Sequence, residues 1–472
     1  MLMRDSKRFI TLTLAGVVVL ASFAPGVAIC AGERVKPRVV VLTDISNEPD
    51  DEESMVRFLV YSNEFDVEGL VATTSVWLRD KVRPERIGER IEAYGEVRGN
   101  LLKHMKGFPT AKDLMSVVKK GRAEFGMEGV GKGKSSEGSE HIISVVDRDD
   151  PRPVWVTVWG GANCLAQALW DVRERRSDEE LAAFVSKLRV YTISDQDNSG
   201  RWMRINFPGL FYIVSPSSVG NLEYYKATWT GISGDRFYRN SPMHKFELVD
   251  NPWLEENIIK GHGPLGALYP RLEYIMEGDT PSFLNLIDNG MQSDVSPSYG
   301  GWGGRYVFRQ SYAETQPIWT NVRGGRDTVV AEDGREYKSA QATIWRWREA
   351  YQHDFAARMD WCVMSYERAN HPPVARLDHD NEMEVKGGDV VKLGATKCSD
   401  PDGDGLSYEW IYYREAGSYN GDIDIRSSNR AEASFTAPKV KSGVKLHIIL
   451  AVKDDGTPGL YRYQRVTVDV RP

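Results

Sequence analysis

The chain has 472 residues and a formal net charge of −7 at pH 7, and 27% of its residues are charged. This length is sufficient for two or three domains with substantial hydrophobic cores. The slightly acidic balance, without a basic block, argues against nucleic acid or an anionic membrane surface as a partner.

Residues 1–31 have the pattern of a secretory signal. Three basic residues, Arg4, Lys7 and Arg8, precede a largely apolar stretch at residues 10–23, and small residues follow around Ala28. The apolar stretch is short for a membrane-spanning helix, which needs about 20 residues. We therefore expect a secreted or periplasmic protein that has no membrane span.

The cysteines beyond this signal are Cys164, Cys362 and Cys398. An odd number of cysteines with wide spacing is not the pattern of a disulfide framework. One disulfide bond could still form in an oxidising compartment. Cys164 lies at the start of an apolar helical segment, which favours a small buried side chain.

The most informative segment is the acidic run at residues 44–53, which contains three Asp and three Glu. It closely follows residues 39–42, an apolar run typical of a buried parallel strand. Open α/β sheets bind ligands at the carboxyl ends of their strands. Clustered carboxylates repel one another unless a cation or solvent offsets their charge, and their oxygens suit calcium. A solvated acidic turn is the alternative, but the strand before the run and the helix-like residues after it favour a site.

Strand-like and helix-like segments alternate over the first half of the chain. Further strands are predicted at residues 67–73, 154–159, 188–193 and 211–214, and helices at residues 53–61, 84–97 and 162–173. This alternation predicts an α/β fold, a mostly parallel open sheet with helices on both faces.

The composition changes at residues 370–373, where an Asn-His-Pro-Pro run is typical of a linker. Short alternating runs separated by turns follow it, at residues 390–393, 407–412, 446–452 and 466–470. They predict an all-β immunoglobulin-like sandwich. We therefore predict an α/β domain at residues 36–370 and a sandwich domain at residues 374–472.

The turn at residues 399–405 and the strand after it resemble the polycystic-kidney-disease and cadherin-like modules of secreted bacterial enzymes. Asp400, Asp402 and Asp404 of this turn could bind calcium, but the helix that follows an EF-hand loop is absent. A simple turn is the favoured interpretation.

A strand followed by one Asp and then by an Asp-Asp pair resembles the calcium-dependent nucleoside hydrolases of the inosine–uridine preferring kind. This resemblance implies that Asp44 and Asp51 bind calcium. It also implies that Asp44 helps to deprotonate the attacking water and that Asp50 holds the sugar.

Three later segments extend the resemblance. A Trp-Gly-Gly-Ala-Asn turn is similar to the turn whose Thr carbonyl binds calcium in that family, which implies this role for the Ala162 carbonyl. An Arg-Ile-Asn run falls where the family contacts the sugar hydroxyls, and only Asn206 is kept. A Gly-Asp-Thr-Pro run resembles the helix start with the last calcium ligand, which implies Asp279. Asp354 is the alternative ligand, but a helix cap is the favoured interpretation of it.

The chain resembles still more closely a branch of secreted bacterial proteins called cellulose-binding, nucleoside-hydrolase-like. Residues 43–54, 277–284 and 299–306 are similar to its signatures, and that branch also carries a C-terminal sandwich. Two departures from ordinary nucleoside hydrolases concern the substrate: Gly278 replaces the His before the last ligand, and Arg204 replaces a sugar-binding Glu. The resemblance therefore implies that the metal site is kept and that the substrate is a carbohydrate rather than a nucleoside.

Several residues are candidates for contact with such a sugar. Ser75 and Trp77 follow the second predicted strand, although Trp77 could equally belong to the core. The Gly-rich aromatic segment at residues 300–306 adds Trp302 and Arg305. The predicted sugar contacts are Asp50, Ser75, Trp77, Asn206, Trp302 and Arg305. The candidates for a general acid are Glu48, His262 and Arg305.

The hypothesis that follows is a secreted calcium-dependent hydrolase of N- or O-glycosidic bonds. Its partner would be a carbohydrate or glycoside, with no nucleic acid, and oligomerisation stays open. The alternative is a non-catalytic protein that binds cellulose or another polysaccharide on the same scaffold.

Overall fold

The structure is a computed structural model that describes residues 35–46, 48–215, 222–239, 241–311 and 314–472. The predicted secretory signal lies outside the described residues. No helix within these ranges is both long enough and apolar enough to cross a membrane.

An eight-stranded sheet runs through the first part of the chain. Its strands are β1 (Arg38–Thr43), β2 (Asp66–Ala72), β3 (Val118–Lys120), β4 (Val154–Val158), β5 (Leu188–Ser194), β6 (Phe211–Ser215), β7 (Val307–Arg309) and β8 (Ile318–Thr320). They lie in the order β3-β2-β1-β4-β5-β6-β8-β7, and each neighbouring pair is parallel except β7 with β8. The predicted α/β fold with a mostly parallel sheet is confirmed.

Helices connect these strands and cover the sheet. They are α1 (Pro49–Val60), α2 (Pro84–His104), α3 (Ala111–Ser116), α4 (Glu137–Val146), α5 (Asn163–Arg175), α6 (Asp178–Ser186), α7 (Ser199–Asn206), α8 (Leu222–Tyr225), α9 (Asn251–Leu254), α10 (Gly263–Ala267), α11 (Pro281–Leu284), α12 (Ala342–Trp345) and α13 (Arg348–Asp360).

Alternate residues of β1 face two separate hydrophobic cores. Val39 and Val41 belong to the core that contains residues of α1 and α2. Val40 and Leu42 belong to the core that contains residues of α4 and α5. Because helices cover both faces of this strand, its sequence is a continuous apolar run without alternation.

Helix α1 begins at Pro49 rather than at residue 53, where the sequence pattern placed it. Proline suits the first helical position, because an N–H there would have no partner within the helix. As a result Asp50 and Asp51 lie in the first turn of α1 and not in a loop. The positive end of the helix dipole favours carboxylates at this place.

The C-terminal part of the chain is all-β, as predicted. It contains β11 (Glu382–Lys386), β12 (Val390–Gly394), β13 (Leu406–Tyr412), β14 (Glu432–Thr436), β15 (Val444–Asp454) and β16 (Tyr461–Arg471). A separate hairpin of β9 (Asp327–Val330) and β10 (Glu336–Ser339) precedes α12 and α13. One sheet has the order β11-β16-β15-β13, and β12 pairs with β14 in a second. A core that includes Trp410, Leu450 and Val466 joins them.

The C-terminal sheets pack directly on the α/β part of the chain, and residues 36–472 form one compact unit. The Tyr413 hydroxyl donates to Asp327 Oδ2 at 2.6 Å. The Arg465 Nε donates to the Met291 carbonyl at 2.7 Å. Contacts of this kind fix the long loops before residue 340 against the sandwich.

The three described cysteines are free, with Cys164 and Cys362 buried and Cys398 half-buried. Burial raises the pKa of the Cys164 thiol to about 11. The expectation that Cys164 is a small buried core residue is confirmed.

The acidic turn of the sandwich brings the carboxylates of Asp400, Asp402 and Asp404 within 4.8 Å of one another. The backbone N–H groups of Asp402 and Asp404 donate to Asp400 Oδ1 at 2.8 and 3.2 Å. Asp402 also accepts from the backbone N–H of His371 at 2.7 Å. These bonds close the turn and tie it to the linker, and the simple-turn interpretation stays a prediction.

Candidate metal and catalytic site

Carboxylates from two distant parts of the chain meet at the carboxyl edge of the parallel sheet. Oxygens of Asp50, Asp51 and Asp279 all lie within 4.8 Å of one another. Asp50 and Asp51 come from the first turn of α1, and Asp279 precedes α11. Asp51 and Asp279 are buried, and Asp50 is half-buried.

Asp44 stands beside this group at the end of β1. Its Oδ2 accepts a hydrogen bond from the Ser75 hydroxyl. The backbone of Gly160 packs against the same carboxylate, because a Cβ at Gly160 would lie 2.2 Å from Asp44 Oδ1. Gly160 therefore leaves room for the Asp44 carboxylate, which explains its place in the Trp-Gly-Gly turn.

The pKa values of these carboxyls report an excess of negative charge. Burial, and then the charges of neighbouring carboxylates, raise the pKa values of Asp50, Asp51 and Asp279 well above the usual range. Burial also raises the pKa of Asp44 to about 6, although the bond from Ser75 lowers it in part. The nearby Arg57 is already paired with Glu277 at 2.5 Å.

Several oxygens of the site have no hydrogen-bond partner among the described residues. They are Asp44 Oδ1, Asp50 Oδ1 and Asp279 Oδ2, and each is buried. A buried carboxylate oxygen without a donor is costly, so such oxygens are usually hydrogen-bonded or coordinate a metal. Because every free donor here is oxygen, the set fits a hard cation such as calcium.

The Ala162 carbonyl lies at the start of α5, where it accepts the helical N–H of Ala166 at 3.0 Å. A carbonyl oxygen has a second lone pair, which remains for a cation.

Comparisons with known proteins identify the family of the chain. A family model described as "Cellulose-binding Sde182, nucleoside hydrolase-like domain" matches residues 38–306. The chain belongs to this family. The model of the C-terminal domain of the cellulose-binding protein Sde0182 matches residues 390–470. Among curated proteins, none matches the chain.

A solved structure shares nearly the whole architecture of this Sde182-family chain. It is described as a nucleoside hydrolase-related hypothetical protein from Saccharophagus degradans that is associated with carbohydrate metabolism. It is 38% identical, with a TM-score of 0.78, and the match covers 93% of this chain and 100% of that chain. The PKD1 domain of Vibrio anguillarum Epp is similar to 22% of this chain and matches over 96% of its own length, at 23% identity and a TM-score of 0.15, which supports no inference.

Gly278, just before Asp279, has a physical reason in this chain. A Cβ at this position would lie 2.8 Å from Asp50 Oδ2 and 3.0 Å from the Trp229 ring. The imidazole that nucleoside hydrolases carry here therefore has no space, because Trp229 occupies it.

Asp197 is a member of the site that the sequence analysis missed. It follows β5, and its charge contributes to the raised pKa of Asp44. Burial raises its own pKa to about 6. Its Oδ2 is buried without a partner among the described residues, and a Cβ at Gly161 would lie 2.4 Å from that atom. Like Asp44, Asp197 follows a buried strand. This position is the sequence signal that could have identified it.

Of the three candidate general acids, the structure places Glu48 beside the aspartates. Burial and the charge of Asp44 raise the pKa of Glu48 to about 7. Its side chain lines an open cavity of about 540 Å³. By contrast, His262 Nε2 is 3.1 Å from Asp360 Oδ1, and the Arg305 Nε is 2.7 Å from Asp327 Oδ1. Those pairings lie outside the acidic group.

Ser75 and Trp77 differ in exposure. Ser75 is fully buried, and besides donating to Asp44 it accepts the backbone N–H of Trp77 at 3.0 Å. It positions the Asp44 carboxylate and offers no surface to a sugar, which corrects the predicted contact. Trp77 has 43% of its surface exposed, so it is not a core residue and remains a candidate for stacking.

Three other predicted sugar contacts are engaged by other parts of the chain. Trp302 is fully buried and packs against Tyr463 of the sandwich, with ring centroids 6.4 Å apart, so it has no free face for a sugar. Arg305 is held by Asp327, as described above. Asn206 is exposed at the end of α7 and accepts from Arg173 at 3.2 Å. We therefore remove these three residues from the site.

Two further positions have structural roles. Arg204 is buried between Asp195 and Glu314, at 2.8 and 2.7 Å. Asp354 lies inside α13, where it pairs with Arg358 at 3.1 Å and with Arg462 at 2.8 Å. Burial opposes ionisation of Asp354, but these two arginines lower its pKa to about 2. The helix-cap interpretation of Asp354 is wrong, because a structural ion-pair network holds it in the helix interior.

Proposed function

We propose that this chain is a secreted, calcium-dependent hydrolase of glycosidic bonds that acts on a carbohydrate rather than on a nucleoside. The observation that carries the proposal is the group of buried carboxylates with unpartnered oxygens at the carboxyl edge of the sheet. The description of the solved relative supports a carbohydrate. The pattern of residues 1–31 supports secretion.

The residues that would hold calcium are Asp44, Asp51, Asp279 and the Ala162 carbonyl. Asp50 is close enough to be a further ligand, because its carboxylate lies within 4.8 Å of those of Asp51 and Asp279. Calcium held by these residues would polarise a water and a sugar hydroxyl and would lower the pKa of the water.

The protein's own groups account for the proton transfers. As the water oxygen bonds to the anomeric carbon and the bond to the leaving group breaks, Asp44 takes a proton of the water through its free Oδ1. Ser75 holds the other oxygen of this carboxylate in place. Glu48 gives its proton to the leaving group, since its pKa, raised to about 7, keeps it partly protonated near neutral pH. The carboxylates around Asp50 stabilise the oxocarbenium-like charge that develops on the sugar.

A panel of plant and algal glycans, pentosides and nucleosides, assayed with calcium and with chelator, tests this function. We expect at least one glycan or pentoside to be cleaved in calcium and no cleavage in chelator. Cleavage that survives chelation, or no cleavage of any member, would contradict the proposal.

The second candidate is a polysaccharide-binding protein without turnover. The family description as cellulose-binding favours it. Sedimentation with insoluble cellulose separates the two, because the second candidate predicts retention of the protein on the solid without soluble product.

In chelator, we expect the melting temperature to fall as the pH rises from about 4 to about 7. The raised pKa values of Asp44 (about 6) and Glu48 (about 7) mean that the folded chain keeps protons that the unfolded chain releases. This stabilisation is complete at pH values below the pKa values of the unfolded chain. It is lost as the pH rises through the pKa values of the folded chain.

Calcium replaces these protons, so the melting-temperature gain on adding it should be larger at pH 8 than at pH 5. Differential scanning fluorimetry across this range measures both effects. A gain that is independent of pH would show that calcium binds elsewhere.

Replacing Trp77 by alanine is expected to raise KM about tenfold with little change in kcat, because an exposed ring supplies stacking energy in both the ground and transition states. Phe308, which is 60% exposed on β7, provides the matched control. Steady-state kinetics of both variants checks this. An equal effect of the two alanines would remove Trp77 from the sugar site.

A further inference from the structure

A second cavity, of about 730 Å³, opens between the segments that follow β6 and β8 and strand β10. Five cationic side chains line it, and among the described residues no carboxylate does. They are Lys226, Arg239, Arg323, Arg326 and Lys338. This local composition contrasts with a chain whose net charge is −7.

These five cations also lack the partners that arginines elsewhere on this surface have. Arg83 pairs with Glu85 at 3.2 Å, and Arg176 pairs with Asp147 at 2.6 Å. Within the part of the chain that the structure describes, no carboxylate lies within ion-pair distance of the five. Like charges gathered around one cavity repel one another, so an anion bound among them would be stabilised.

Aromatic rings form another part of the cavity wall. Tyr225, Tyr238 and Tyr337 all line it, and the rings of Tyr225 and Tyr238 have centroids 5.3 Å apart. Gln341 fixes this wall by donating to the Tyr225 carbonyl at 3.1 Å. Flat rings suit the C–H faces of sugars, and arginine forks suit carboxylate and sulfate groups.

Two aromatic side chains lie between the cavity and the acidic site. The Tyr238 ring lies 6.2 Å from the Trp229 ring, measured between centroids. Trp229 in turn borders Gly278 together with Asp50, as the Cβ distances above show. Tyr238 and Trp229 therefore separate the basic cavity from the carboxylates that we propose to act on the glycosidic bond.

We propose that this cavity binds a negatively charged sugar residue of the substrate, a carboxylate-bearing uronate or a sulfated sugar, so that the preferred substrate is an acidic polysaccharide. The proposal rests on the proposed function for the position of the bond that is cleaved. A volume of about 730 Å³ lies in the range of small-molecule sites and exceeds what a lone inorganic anion needs. A neutral glucan has no charged group that would pair with the five cations.

The test is direct binding, measured by isothermal titration calorimetry on the full mature chain with calcium present. The probes are a trigalacturonate, a sulfated galactan oligosaccharide of similar length, cellotriose and inorganic phosphate. We expect at least one acidic oligosaccharide to bind at least about tenfold more tightly than both cellotriose and phosphate. Whichever acidic probe binds more tightly then identifies the carboxylate or the sulfate as the ligand group.

The variant for this test is the double substitution Arg323→Ala with Arg326→Ala. Because both side chains are exposed, the fold should tolerate their loss. We expect acidic binding to weaken about tenfold and cellotriose binding to stay unchanged. The matched control is Arg335→Ala, whose side chain is 79% exposed in the β9–β10 turn.

Equal affinity for cellotriose and the acidic probes would overturn the proposal, as would equal loss in the Arg335→Ala control. Phosphate binding as tight as that of the oligosaccharides would show a site for a lone anion instead. Because binding is measured without reference to turnover, a failure of the hydrolase function in the glycan panel is distinguishable from a failure here.

Discussion

The Asp51→Asn variant is expected to lose at least about 10³-fold in kcat/KM on any glycan that the wild-type protein cleaves, because it removes a central ligand of the proposed calcium site. The same change should raise the melting temperature in chelator, since Asp51 is one of several buried carboxylates that repel one another. A variant that loses activity while its metal-free form becomes more stable is not a folding mutant.

The matched control for Asp51 is Asp404→Asn, which alters the other cluster of three aspartates among the described residues. This control should keep wild-type activity and the full stabilisation by calcium. Loss of the calcium effect in Asp404→Asn, with its retention in Asp51→Asn, would move the cation to the sandwich and contradict the assignment. Asp279→Asn should repeat the behaviour of Asp51→Asn, because the two side chains belong to one site.

The Glu48→Gln variant is expected to lose about 10²- to 10⁴-fold in kcat on substrates with poor leaving groups, because glutamine cannot donate a proton. In the wild-type protein, activity should fall as the pH rises through about 7, where Glu48 loses its proton. The charge of Asp44 contributes to the raised pKa of Glu48, and bound calcium would offset that charge. The fall in activity should therefore be centred at about pH 7 or below. Glu48→Gln should remove this limb of the pH profile.

An aryl glycoside with a good leaving group should restore most of the rate of Glu48→Gln, because its departure needs no acid. Glu273→Gln is the matched control, since Glu273 is an exposed carboxylate that lines the same cavity. If Glu48→Gln and Glu273→Gln behave alike on poor leaving groups, Glu48 is not the acid.

The sequence predicted the parallel sheet because its strands are continuous apolar runs, and each run ends in polar residues that mark a turn. The same signals placed Asp44, Asp50 and Asp51 at the ligand-binding edge. Asp279 followed only from the family resemblance, since nothing in its local sequence links it to an aspartate that lies far earlier in the chain. The start of α1 was missed because the pattern of apolar residues begins after Pro49.

The errors lie in segments whose structure depends on distant partners. Trp302 and Arg305 look like sugar-binding residues by composition, but contacts with Tyr463 and Asp327 bury or occupy them. Those partners belong to the sandwich and to a hairpin, and local periodicity carries no information about such docking. For the same reason the basic cavity was not predicted, because its cations are scattered over residues 226–338 and meet only in the folded chain.

The central claim is that the aspartates of the sheet edge hold a calcium ion, and crystals grown with calcium test it most directly through the anomalous difference map. We expect a strong peak bounded by Asp44, Asp51 and Asp279, with oxygens at about 2.3–2.6 Å from the ion. A map with no peak at this position in calcium-containing crystals, while the carboxylates keep the arrangement described here, would contradict the account.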